Sequence, residues 1–173
     1  MSQAGDSPSP SDTRLAKQAL REQVRSAKRG ISTDRKTAQS REICQRLAGS
    51  EFWKRSGLVL LYAHLPSEVD VNLLITDALL KEKTVALPRY DAKTQRYALS
   101  AIQDVDELVS GAFGVKEPAL SCAEIQPNQL DLAIVPGVAF DVLGRRLGRG
   151  GGHRVGSSSV PWGGGRAALA RSE

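Results

Sequence analysis

Gly57-Leu58-Val59-Leu60-Leu61-Tyr62-Ala63 is a short, unbroken apolar run. Continuity rather than alternation marks a strand buried on both faces, and such strands belong mainly to parallel sheets. A parallel partner requires a crossover, so a helix should follow. Asp70 can cap it, Val69 and Leu74 have the spacing of a hydrophobic staple, and Leu73, Leu74, Ala78 and Leu79 would form its buried side. Residues 84–88 read as the next strand of a strand, helix, strand unit, whose crossover is expected to be right-handed. Residues 97–102 read as a further short strand and 104–110 as a short helix. Asp131-Leu132-Ala133-Ile134-Val135-Pro136 is the last clear strand, apolar enough to be central. The pattern predicts an α/β fold around a mostly parallel sheet.

Upstream of the first strand, Leu15, Ala19, Leu20, Val24, Ala27 and Ile31 fall at the spacings of an amphipathic helix. Arg14, Lys17, Arg21, Arg25 and Lys28 also recur at three or four, so one face of this helix is cationic. A second helix is expected from Ser32 to Gly49, with Ile43, Cys44, Leu47 and Ala48 inward and glycine as its stop. Residues 1–12 contain acids and prolines but no apolar core, so they read as a disordered tail and neither a secretory signal nor an organellar transit peptide.

The 173 residues suit one domain. An apolar share of 40% and a charged share of 25% are those of a globular protein, and no stretch approaches the ~20 apolar residues of a membrane span. A net charge of +5 suits an anionic small molecule and a weak polyanion contact equally well. Cys44 and Cys122 are too far apart to make a disulfide framework or zinc knuckle, which fits a reducing, cytoplasmic setting.

In open α/β sheets, ligands bind beyond the carboxyl ends of the strands. Three loops occupy such positions: residues 64–68, residues 88–90, and the stretch from Gly137 onward. Nine of the sixteen glycines lie between Gly144 and Gly165. Gly144-Arg145-Arg146-Leu147-Gly148-Arg149-Gly150-Gly151-Gly152-His153 has what a polyphosphate cradle needs, namely backbone that can approach closely, free N–H groups and guanidinium charge. It matches neither the P-loop nor the dinucleotide fingerprint. A flexible Gly/Arg linker has the same composition, but the position directly after a central strand favours the cradle. Lys17 and Arg21, one helical turn apart, could clamp phosphate from the opposite side or form a solvated basic face. Glu68 is a loop carboxylate able to accept from the N–H groups of a heterocycle, although an exposed loop glutamate more often serves solubility. His64 and His153 are too few for a histidine metal site, and Ser157, Ser158 and Ser159 lack a nucleophile-elbow setting.

Taken together, Lys17-x-x-x-Arg21, Ser67-Glu68-Val69-Asp70, Leu87-Pro88-Arg89-Tyr90, Phe113-Gly114-Val115-Lys116-Glu117-Pro118 and the run from Asp131 to Asp141 followed by residues 146–152 resemble the 5-formyltetrahydrofolate cyclo-ligase family. The likeness covers about residues 14–152 in order. It implies a three-layer, Rossmann-like α/β domain with helices on both faces of the sheet, over residues 13–155. It also implies a ligase of folate one-carbon metabolism that uses ATP and magnesium to convert 5-formyltetrahydrofolate to 5,10-methenyltetrahydrofolate, releasing ADP and phosphate. By that resemblance Lys17 and Arg149 are catalytic, and the nucleotide is held by Lys17, Arg21, Arg146, Leu147, Gly148, Arg149, Gly150, Gly151, Gly152 and His153. The folate lies against Ala63, Glu68, Arg149, Gly150, Gly151 and Gly152. The expected setting is a cytoplasmic monomer with no membrane or nucleic-acid partner.

The resemblance ends where the family continues with two tyrosines and a magnesium-binding aspartate. This sequence has His153, Arg154 and Val155 there, so no metal ligand is assigned. Residues 156–173 are expected to be a disordered Gly/Ser-rich tail in place of the family's further strand-rich segment, leaving the domain incomplete. Two rival readings follow: a truncated, inactive family member that binds nucleotide or folate weakly, and a basic Gly/Arg protein that binds nucleic acid. Few aromatics (5%) and no RNA-binding module stand against the latter.

Overall fold

A computed structural model describes residues 9–150 and 166–169. Helices α1 (Pro10–Lys28), α2 (Thr33–Ala48) and α3 (Glu51–Arg55) precede β1 (Leu58–Leu60), and α4 (Asn72–Leu80) leads to β2 (Thr84–Asp91) and β3 (Arg96–Ile102). Short strands β4 (Leu108–Ser110), β5 (Lys116–Pro118) and β6 (Glu124–Ile125) follow, then β7 (Leu132–Val135), β8 (Ala139–Phe140), β9 (Arg146–Leu147) and β10 (Arg166–Leu169). The main sheet has the order β10-β7-β1-β2-β3-β6. Its β10–β7, β7–β1 and β1–β2 pairs are parallel, whereas β2–β3 and β3–β6 are antiparallel. The expected mostly parallel centre is present, with β1 in its middle.

Asp131 fixes the register there. Its Oδ2 accepts from the backbone N–H groups of Gly57 at 2.8 Å and Leu58 at 2.9 Å, while its own N–H donates to the Leu58 carbonyl at 3.0 Å. Successive residues of β1 then face opposite sides, as the pleat requires. Val59 and Leu61 enter the larger core with Cys44, Trp53, Leu74, Ile75 and Ala78 from α2, α3 and α4. Leu60 joins Ala86, Leu99, Leu130 and Ala133 on the other side. Trp53 is fully buried, and its indole N–H is satisfied by Asp77 Oδ2 at 2.7 Å.

α2 keeps its expected bounds: Ser32 caps its start by accepting from the Arg35 N–H, and Gly49 closes it. α4 is likewise where expected, but its N-cap is Val71 with no side-chain cap; Asp70 instead closes a local turn before it, its Oδ1 accepting from the Asn72 N–H at 2.9 Å. Its buried side is corrected, because Ile75 is buried in place of Leu73, which is 52% exposed. Residues 104–110 form a single 3-10 turn and strand β4 rather than a helix, since Leu108–Ser110 finds an antiparallel partner in β5. The first helix starts at Pro10, inside the stretch read as a tail. Ser9 and Asp12 form a capping box there, each side chain accepting from the other's backbone N–H. Beyond Gly156 no regular element was expected, yet Arg166–Leu169 pairs with Leu132–Val135 in parallel register. Four residues are too few to show a periodicity; the neighbouring strand supplies the order.

The largest correction concerns the face of α1. Leu15, Ala19 and Leu20 are exposed, whereas Arg21, Val24 and Lys28 are partly covered. The side of α1 that meets the rest of the chain is the cationic one, and its apolar stripe near the start faces water.

Candidate functional site

That inversion defines a cleft of about 450 Å³ at the carboxyl ends of β1 and β7. One wall is the second half of α1; the others are the start of α2, the loop after β1, and the turns around β8 and β9. Arg21, Arg25, Lys28, Arg29, Lys36 and Arg149 line it, and Glu68 is the carboxylate among its lining residues.

The loop after β1 is built to present Glu68. A turn brings the Glu68 N–H to the Leu65 carbonyl at 2.8 Å, and Glu68 Oε2 accepts in return from the Leu65 N–H at 2.9 Å. Oε1 pairs with Arg149 Nε at 3.0 Å, and another Arg149 nitrogen donates to Ser67 Oγ at 2.7 Å. Only 11% of the Glu68 side chain is exposed, so this pair is better shielded from water than an ordinary surface ion pair. Burial, then the nearby Glu68 charge, pushes the Tyr62 phenol up.

The turn after β7 is fastened by its own side chains. Arg146 donates to the Pro136 carbonyl at 2.8 Å, and Val138 donates to the Leu147 carbonyl at 2.8 Å. From α1, Arg21 Nε donates to the Gly148 carbonyl at 2.8 Å. Gly150 has φ +88°, and a Cβ there would lie 3.1–3.3 Å from the Arg21 guanidinium. The positive φ favours glycine at 150, and a Cβ there would require the Arg21 guanidinium to give by a few tenths of an ångström.

The structure thus brings together Arg21, Gly148, Arg149, Gly150 and Glu68, five residues expected at the site. Lys17 is exposed one turn before Arg21 on α1 and is not among the cleft's lining residues. Arg146 and Leu147 hold the hairpin of β8 and β9, and Ala63 ends the strand run behind the loop; none of the three lines the cleft. Gly151, Gly152 and His153 lie outside the described residues. The sequence reading did not assign Lys28, Lys36 or Ser67 to the site. Lys28 belonged to the cationic row of α1, but Lys36 lies on another helix and carried no signal.

Positive charge is concentrated at the cleft. Burial, then Arg149, then Lys36, holds the Lys28 ammonium below the ordinary lysine value. Arg25 and Arg29 both pair with Glu22. Among the described residues no three His, Cys, Asp or Glu side chains converge as a metal site. Glu68 is a single carboxylate paired with Arg149, with no second acidic ligand beside it among the described residues, so the described donors do not fit a protein-held magnesium ion.

A family model of the 5-formyltetrahydrofolate cyclo-ligase family matches residues 13–155. A Schizosaccharomyces pombe protein named probable 5-formyltetrahydrofolate cyclo-ligase is 33% identical, over 67% of this chain and 58% of its own length. The mouse 5-formyltetrahydrofolate cyclo-ligase is 26% identical, over 80% of this chain and 71% of that protein. The solved structure of Aquifex aeolicus 5,10-methenyltetrahydrofolate synthetase superposes with a TM-score of 0.70 at 33% identity, covering 79% of this chain and 69% of that one. The matched stretch includes α1, β1, the Glu68 loop and the turn carrying Arg149, the elements that build the cleft, and the chain belongs to the 5-formyltetrahydrofolate cyclo-ligase family.

Proposed function

We propose that this chain closes 5-formyltetrahydrofolate to 5,10-methenyltetrahydrofolate with ATP, releasing ADP and phosphate, as a monomer in the cytoplasm. The supporting observation is that Arg21, Arg149 and Glu68 line one cleft, with Arg21 also held against the backbone at Gly148 and Gly150. No helix among the described residues is long and apolar enough to cross a membrane.

The formyl oxygen attacks the terminal phosphorus, forming an O–P bond while the bond to ADP breaks. The neighbouring folate nitrogen then attacks the activated carbon and loses its proton, and the C–O bond breaks to release phosphate. Phosphoryl transfer asks the protein chiefly for positioning and charge neutralisation. Arg21, held at the Gly148 carbonyl, and Arg149, held at Glu68, bring charge to the cleft, and Lys17, one turn before Arg21, extends the row toward the nucleotide. Glu68 presents a carboxylate for the N–H groups of the pterin, with Ala63 beside it. Gly151, Gly152 and His153 would continue the phosphate cradle. Magnesium would neutralise phosphate charge when bound, although the described residues offer it no ligand cluster.

Incubating the purified chain with ATP, magnesium chloride and 5-formyltetrahydrofolate should produce the methenyl product, read by its near-ultraviolet absorbance. Arg149→Ala should lower turnover at least tenfold, since a charged hydrogen bond is worth roughly 1.5–3 kcal/mol. No product from the unaltered chain, or full activity in the variant, overturns the proposal.

A further inference from the structure

The cleft holds more positive charge than its contacts neutralise. Arg25 and Arg29 share Glu22, Arg149 pairs with Glu68, and Arg21 Nε is engaged by the Gly148 carbonyl. Lys28 and Lys36 also line it, and among the described residues neither ammonium pairs with a carboxylate. Lys28 is half-buried, with Arg149 and Lys36 close enough to disfavour its charge. Three cations crowded at one place and partly removed from water are unfavourable in the free chain. A bound oxyanion reverses the sign of that interaction. Val24, Gly137 and Val138 supply the uncharged part of the wall, which limits competition from water.

We propose that Lys28, Lys36 and Arg149 form an oxyanion subsite that takes a multiply charged phosphate or carboxylate group of a ligand. The subsite adds α2 to the binding machinery, an element none of the expected site residues occupies. Which ligand supplies the group rests on the proposed function. Phosphates of the nucleotide and the two carboxylates of the folate's glutamate share the required chemistry. Glu68 and Glu22 are the carboxylates paired with the cleft's other cations, so an incoming anion meets its least compensated surroundings at Lys28 and Lys36.

Calorimetric titration of the full chain with inorganic pyrophosphate and with glutarate tests the subsite without requiring turnover. The Lys28→Met, Lys36→Met double variant should lose about tenfold or more in affinity for whichever probe the unaltered chain binds. Lys28→Arg with Lys36→Arg should restore it. A control double variant, Lys93→Met with Lys116→Met, removes the same net charge at exposed sites and should bind as the unaltered chain does. Titrations with ATP and with 5-formyltetrahydrofolate then separate the sources. A loss confined to ATP assigns the subsite to phosphate, and one confined to the folate assigns it to carboxylate. Failure of the unaltered chain to bind either small probe, or equal affinities in the Met double variant, overturns the subsite. A chain that binds the probes through these lysines but yields no methenyl product contradicts the proposed reaction alone.

Discussion

α1 and α4 are held in opposite ways. α4 buries Leu74, Ile75 and Ala78 against β1 and β2, and apolar area fixes its place. α1 leaves Leu15 66% and Leu20 44% exposed, and it meets the chain through Arg21, Val24 and Lys28 along the cleft. The contrast shows a division of labour. One helix is bound by the hydrophobic effect and supports the sheet, while the other presents charge to a ligand and contributes little apolar burial.

The strongest way to break this comparison is to damage the apolar side. Trp53→Ala removes a fully buried ring and leaves Asp77 without its indole donor. A loss of about 3–5 kcal/mol is expected in urea denaturation, a large fraction of the ~5–15 kcal/mol of a typical domain. Arg21→Met is the counterpart on the charged side. It should weaken ATP binding about tenfold by calorimetry while moving the melting temperature by only a few degrees, because the lost hydrogen bond to Gly148 is a single, partly exposed contact.

What could be read in the sequence follows the same division. β1, β2, β7, α2 and α4 were legible because apolar continuity or helical spacing reports burial directly, and Leu58–Leu60 lies inside the run that marked it. The inward face of α1 was left open between cations that clamp phosphate and a solvated basic face. Its apolar stripe is genuine, but the protein turns its cations inward, and hydrophobic periodicity carries no information about a face selected for a ligand. Leu73 and Ile75 were exchanged because both fit a helical stripe, and the neighbouring strands decide between them. Glu68, Arg21 and Arg149 were visible as candidates. Their pairing was not, since Ser67 and Arg149 lie 82 residues apart and only the assembled sheet joins them. Lys36 was missed for the same reason.

A pH series sharpens the comparison further. Asp77 loses some solvation by burial, but hydrogen bonds from Lys81 and Trp53 outweigh this and hold its carboxyl below its ordinary value of 3.8. A carboxyl depressed in the folded state stabilises the fold above its unfolded value, and that contribution disappears as pH falls through the lower folded value. The unaltered chain should therefore lose stability more steeply below about pH 4 than Asp77→Asn, measured by urea midpoints across the acid range. The smallest effect is expected on the outer side of α1: Leu15→Gln and Leu20→Gln should each shift stability within about 0.5 kcal/mol. A loss of about 2 kcal/mol there would mean that this stripe is buried after all and that α1 resembles α4.

The bond from Arg21 to the Gly148 carbonyl joins residues 127 positions apart, and the clip from Asp131 to Gly57 joins residues 74 apart. Closing such loops costs chain entropy before any contact rewards it. The clip can form once β1 and β7 are paired, but the longer bond needs the turn after β7 and the first helix together. The cleft is therefore a property of the finished molecule: a partly folded chain with β1 and β2 paired has a hydrophobic core and no site. Anything that binds the cleft draws its affinity only from complete chains and protects them by mass action. The ligand thereby acts as a late folding partner, securing a helix that the core leaves loosely held.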